Sequence, residues 1–215
     1  HEHGNQLRPT DVAANMEAAI EACRHTYRAS VVSYSVEIDA EGDEHYRQFL
    51  ACCRLAKATK VVTLTVPSAE LGTPFNQEVE HLRQLVAIAE SEGVRVAIRS
   101  QIGRLSEDPD TVIVLCDNAK GLGVTLDPSH YLCNPTGPKN YDRLLKYTYN
   151  VHLRDSTKQD LQVRIGQGEI EYGRLINLLN KVRYNRSLSV HLCEIEGVDH
   201  IQEMRKMRLL LESLL

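Results

Sequence analysis

Apolar positions along the chain switch period repeatedly, between the spacing of a helix and that of a strand. Over residues 10–25, Val12, Met16, Ile20 and Cys23 recur at helical spacing, and Thr10 or Asp11 can cap the start. The next apolar run, "VVSYSVEI" (31–38), is short, rich in β-branched and aromatic residues and bounded by charge, which predicts a strand. The same switching predicts further helices over 43–58, 76–93, 108–120, about 140–147, 172–182 and 199–215. Between them it predicts strands over 60–66, 94–98, 123–127, 150–155 and 188–192.

Six short strands thus alternate with helices, and most read as near-continuous apolar runs. Such strands belong to a parallel sheet covered by helices, either a (β/α) barrel or an open doubly wound sheet. No G-x-G-x-x-G opens a helix and no phosphate-loop motif is present, so the nucleotide-binding open sheets lack support. The barrel gains support from polar residues at the strand ends: Glu37, Arg99 with Gln101, Asp127 with His130, His152 with Arg154, and His191. Barrel enzymes assemble their sites on that face. A complete eight-fold barrel takes roughly 250 residues, against 215 here, and this pattern begins with a loop and a helix. The expectation is one α/β barrel domain over 1–215 lacking its first strand–helix–strand unit, with "HEHG" as the end of the second strand. The strand edge left open would favour association with another chain, as in a homo-oligomer.

Composition narrows the partners. The net charge is -4 and no basic stripe or tail is present, so the footprint of nucleic-acid binding is missing. No apolar run approaches the ~20 residues of a membrane helix, and "HEHGNQLRPT" lacks the apolar core of a signal peptide. Cys23, Cys52, Cys53, Cys116, Cys133 and Cys193 form no C-x-x-C pair. Reduced thiols in a cytoplasmic protein are expected.

In "GVTLDPSHYL" (123–132) a strand ends in Asp127, with His130 three residues on. Alone, the pair reads first as a helix or turn cap plus a solvated histidine. His152 within its strand reads by default as a buried, hydrogen-bonded histidine, and Arg154 as half of a surface ion pair of small energy. Glu37 can be an ordinary charged strand end, and "HEH" (1–3) a frayed terminus that binds metal only adventitiously. Gly166 and Gly168 in "GQGEIEY" allow a turn.

Taken in order, "GVTLDPSHYL", "YNVHLRDS" and "GQGEIEYGRLINLLNKVRYNRSLSVH" resemble the last strand–loop units of the xylose isomerase-like TIM barrels, the sugar phosphate isomerase/epimerase family. The resemblance covers about residues 10–215. It implies a barrel missing its start and a divalent metal (Mn, Mg, Zn or Co) held by glutamate, aspartate, histidine and glutamate on successive strands. It places the aspartate at Asp127, the first histidine at His152 and a substrate-contacting histidine at His130. The two glutamates, which also move the substrate proton, fall on Arg99 and His191. His191 can still ligate, leaving Asp127, His152 and His191 as a metal set. Arg99 has no lone pair to give, and a salt bridge from Arg99 to Asp127 filling the metal's place is the favoured reading.

The resemblance therefore implies a sugar or sugar phosphate isomerase or epimerase acting on a small sugar or polyol. His152, His191 and Glu37 are the catalytic candidates, and His130, Arg154 and Arg99 the substrate contacts. The alternative is a non-catalytic relative that keeps the barrel as a binding or assembly module. The metal-dependent nucleases of the same barrel rank last, because the chain supplies few ligands and a net negative charge.

Overall fold

The computed structural model describes residues 7–24 and 30–215. The readings of "HEH" and "HEHG" fall outside these residues. The strands are β1 (Ser33–Ser35), β2 (Thr63–Val66), β3 (Arg95–Arg99), β4 (Gly123–Leu126), β5 (Thr148–Leu153) and β6 (Leu188–Val190). They form one sheet in chain order, and every neighbouring pair is parallel. Helices α1 (Pro9–Ala14), α2 (Met16–Arg24), α3 (Gly42–Ala58), α4 (Phe75–Ser91), α5 (Pro109–Asn118), α6 (Pro128–Leu132), α7 (Tyr172–Lys181) and α8 (His200–Glu212) precede, connect and follow the strands.

The sheet is rolled, and side chains inside it prove the roll. In a flat sheet β1 and β5 would stand four spacings apart, roughly 19 Å at ~4.8 Å each. Yet Asn150 Nδ2 on β5 donates to Ser33 Oγ on β1 at 3.2 Å. Likewise Thr65 on β2 meets Thr125 on β4 at 2.6 Å. The result is a half-barrel of six strands with its gap between β6 and β1.

The strands are not the continuous apolar runs the sequence suggested. They alternate. Thr65, Thr125, Asn150 and Ser189 join in hydrogen bonds on the inner face, while Leu64, Ile98, Leu126 and Leu153 on the outer face pack under the helices. That outer layer, with Phe49, Leu82, Leu115 and Leu175 fully buried, is the main core. Each such side chain contributes about 1.5–3 kcal/mol through burial. Small polar residues suit an interior that is open on one side.

Local chemistry moved several element boundaries. The first predicted helix is two, because Asn15 ends α1 and its Oδ1 then accepts from Ala18 N–H to cap α2. The segment expected as a helix near 140–147 is a 3-10 helix, Asp142–Tyr147. No described helix is long and apolar enough to cross a membrane.

Candidate functional site at the mouth of the half-barrel

Asp127 closes β4 and does two jobs. Oδ1 accepts from Ser129 N–H at 3.1 Å and caps α6. Oδ2 receives both Nε (3.1 Å) and Nη2 (2.9 Å) of Arg154, two residues beyond His152 on the inner row of β5. The Arg154 carbonyl is itself pinned by Tyr172 Oη at 2.9 Å and Ser129 Oγ at 3.3 Å. Both charged side chains are almost sealed from water, at 3% exposure for Asp127 and 6% for Arg154.

The ion pair expected between Arg99 and Asp127 is therefore replaced by another. Arg99 Nη1 lies 2.7 Å from Glu37 Oε1, and its Nε donates to Gln101 Oε1 at 2.7 Å. Chain geometry explains the exchange. β3 and β5 both flank β4, but the Arg99 guanidinium turns away from Asp127 to the exposed Glu37 carboxylate and Gln101, whereas that of Arg154 turns towards Asp127.

Arg154 Nη2 also lies 2.7 Å from His191 Nδ1. A guanidinium only donates, so Nδ1 accepts and Nε2 carries the hydrogen. One nitrogen thus stands between Asp127 and His191, whose nearest atoms are 3.9 Å apart. The ring of His191 lies 4.6 Å from that of His152, centroid to centroid. His130 completes the cluster: its Nδ1 accepts from Ile102 N–H at 3.2 Å, leaving Nε2 3.9 Å from Asp127 Oδ2.

Electrostatics follow from burial. Burial alone would raise the Asp127 carboxyl, but His191, Arg154 and His130 overcome it and hold it well below the usual carboxylate range. Burial, the neighbouring His191 and the two arginines push His152 down to about 4, with only Asp127 opposing. Burial likewise lowers His130 against the pull of Asp127. His152 is thus a neutral imidazole at pH 7.

The expected metal set does not assemble. Among the described residues no three His, Cys, Asp or Glu side chains converge as a metal-binding group. The lone pairs that Asp127 and His191 would give a metal go to Arg154. A divalent ion beside that guanidinium would meet repulsion of ~4 kcal/mol per unit charge pair at 4 Å and an effective dielectric near 20. The residues do not fit the metal.

The sequence candidates also do not share one cavity. Asp127, His130, His152, Arg154 and His191 form one cluster. Glu37 and Arg99 instead line a neighbouring cavity of about 270 Å³. His45, Glu78 and His81 line it too, and sequence reading passed over them. Their helical positions carry no spacing that separates an inward polar residue from a solvated one.

Arg154 and Asp155 part company at the end of β5. Asp155 is buried and its Oδ2 accepts from Gly166 N–H at 2.8 Å and Gly168 N–H at 3.0 Å, tying down the loop into α7. Gly166 takes a φ of +89° there, whereas Gly168 is needed for close approach to Asp155.

Comparison with known proteins adds the family. The profile of the xylose isomerase-like TIM barrels matches residues 4–211. No curated protein matches the sequence. Among solved structures, a D-tagatose 3-epimerase-like protein superposes with a TM-score of 0.72 at 18% identity, covering 96% of this chain and 84% of that one. The 3-keto-D-glucoside 4-epimerase of E. coli gives 0.75 at 15%, covering 97% and 88%. A xylose isomerase-like TIM barrel protein of Mycobacterium smegmatis, in complex with magnesium, gives 0.71 at 14%, covering 95% and 82%. At these identities the likeness is one of fold.

Proposed function

Because the chain belongs to the xylose isomerase-like TIM barrel family, we propose that it is a sugar isomerase/epimerase-like protein that binds a small sugar or polyol at its mouth without a metal. The observation that carries this reading is Arg154 Nη2 lying between Asp127 Oδ2 and His191 Nδ1. A fixed cation there supplies what isomerisation needs beside a carbonyl: positive charge held near the oxygen as negative charge develops on it. The sugar epimerases among the structural neighbours support the substrate class.

The proton then moves through a histidine. His152, neutral at pH 7 and 4.6 Å in ring-to-ring distance from His191, accepts the proton next to the carbonyl. His152, protonated in that step, returns the proton to the adjacent carbon, while His191 gives a hydrogen bond from Nε2–H to the substrate. His130 contacts substrate hydroxyls in the mouth, and Arg99 with its partner Glu37 contacts those that reach into the neighbouring cavity. Asp127 holds Arg154 in place and carries no proton.

The test is carbon-bound hydrogen exchange in D2O, followed by proton NMR with D-tagatose and D-fructose, in chelator and with added Mn²⁺. Exchange that is lost in His152→Gln, unaffected by chelator and not raised by Mn²⁺ is expected. Exchange that needs Mn²⁺ would overturn the metal-free reading.

A second reading has its own support: both positions that the family resemblance assigns to proton-moving glutamates hold Arg99 and His191. Saturable binding of these sugars with no exchange would put the non-catalytic binding module in front.

A further inference from the structure

One side of the mouth hangs on a strand that runs out of partners. β6 pairs with β5 over three residues, Leu188–Val190 against Val151–Leu153. His191 N–H gives one more bond, to the Leu153 carbonyl at 2.9 Å. Beyond it, residues 192–199 take neither helix nor strand. Yet the His191 ring stands in place, with Nδ1 2.7 Å from Arg154 Nη2. Its side chain is 47% exposed, so burial does not hold it there.

A side chain continues the ladder instead. Gln162 Oε1 accepts from Cys193 N–H at 2.7 Å, and Gln162 Nε2 donates to the Cys193 carbonyl at 2.6 Å. A primary amide offers one acceptor and one donor group side by side, as a facing strand residue does. Gln162 thus stands in for the next rung, two residues past His191. Among the described residues no other hydrogen bond joins residues 192–198 to the rest of the chain. A segment with so few ties opens locally at little cost unless those ties hold.

Gln162 is itself anchored. It lies in the loop from β5 to α7, which returns where Val163 N–H meets the Asp155 carbonyl at 2.8 Å. The buried Asp155 side chain fastens Gly166 and Gly168 farther along. Ile165 N–H donates to Glu203 Oε2 on α8 at 2.7 Å. The end of β5 therefore presents Arg154 to the mouth and, one residue on, anchors the amide that steadies the chain carrying His191.

We propose that Gln162 is a positioning residue for His191: its amide clasps the Cys193 backbone, extends the β5–β6 pairing past the strand end and keeps the His191 ring on Arg154. With the clasp released, residues 192–198 come free and His191 leaves the guanidinium. The clasp stands whether or not the mouth is catalytic, whereas its effect on turnover rests on the sugar chemistry proposed above.

The experiment follows the full chain by NMR at pH 8, above the ordinary histidine range of about 6.5. It reads amide hydrogen exchange at Cys193 and the ring nitrogens of His191, whose signals His191→Gln assigns. In the wild type, His191 should hold the Nε2–H tautomer alone, because Arg154 donates to Nδ1. Gln162→Ala should speed exchange of the Cys193 N–H about tenfold or more, the loss of two neutral hydrogen bonds, and admit the Nδ1–H tautomer at His191. Gln162→Glu keeps an acceptor for the Cys193 N–H but has no donor for its carbonyl, so it should fall between; it gives the same reading should the alanine variant fail to fold. Lys158→Ala removes an ion pair to Glu169 in the same loop without touching Cys193, and should change neither signal. Both signals moving in a chain that exchanges no carbon-bound hydrogen of D-tagatose would support the clasp and tell only against the proposed chemistry. The proposal is overturned if Cys193 exchanges at the wild-type rate in the folded Gln162 variants, if His191 keeps its single tautomer there, or if Lys158→Ala moves both signals as far.

Discussion

Arg154 is the residue on which the mouth turns, because among the described residues it is the permanently charged group hydrogen-bonded to the buried Asp127 carboxylate. Replacing it with methionine leaves Asp127 charged and unpaired among buried neighbours, at a cost of about 3–5 kcal/mol. Urea denaturation at pH 7 measures this. Arg154→Met with Asp127→Asn should cost clearly less than the sum of the two single changes, since the double variant strands no charge. Additive costs would mean the pair contributes no coupling. The same cluster sets a pH dependence. His152 and His81 protonate at about 4 in the folded chain against 6.5 unfolded. Between these values the unfolded chain binds more protons, so stability is full above pH 6.5 and falls as the pH drops towards 4. Asp127, depressed in the folded state, extends the loss further into acid, once the unfolded carboxyl begins to protonate near ~3.9. His152→Gln should flatten the slope between pH 6.5 and 4 by about one proton in equilibrium unfolding, and an unchanged slope would show that His152 titrates normally.

Elements hold the site through their ends more than through their interiors. The loop from β5 to α7 is fastened by Asp155 to the N–H groups of Gly166 and Gly168. A Cβ on Gly168 would stand 2.0 Å from Asp155 Oδ1 and 2.7 Å from the Ser156 backbone nitrogen. Backbone cannot yield as a flexible side chain can, so Gly168→Ala should destabilise by ~1–3 kcal/mol. Gly173→Ala in α7 is the control: nothing lies within 4 Å of its added carbon, and the helix should gain roughly 0.5–1 kcal/mol. Thermal melts of the two variants should shift in opposite directions. Similar losses in both would mean that helix strain, not the Asp155 contact, governs this loop.

At the scale of the whole molecule, the inner face and the two sheet edges matter most. Asn150 ties β5 to β1 and to Ser187 and Ser189 beside β6, so one amide gathers both sides of the half-barrel. Among the described residues the outermost strands, β1 and β6, pair on one side only. Unpaired edges of this kind template further pairing. Light scattering across a dilution series should therefore find species larger than one chain, and a strictly monomeric protein at every concentration would count against edge pairing.

The alternation of helix and strand, the parallel order and the polar strand ends were legible in the sequence because each rests on local periodicity. Three ordered motifs were enough to point to the family, and they brought Asp127, His130, His152 and His191 to one end of the sheet. The partner of Asp127 was not legible. Arg99 and Arg154 both end strands beside the mouth, and only the roll of the sheet and the pinning of the Arg154 carbonyl by Tyr172 and Ser129 selected Arg154. Likewise His45, Glu78 and His81 come together because α3 and α4 pack side by side over β1 and β2, a placement that no spacing along one helix encodes. Periodicity determines which face of an element turns inward. Which charges then meet depends on distances across the fold, where a single ångström separates a metal ligand from a hydrogen-bond acceptor.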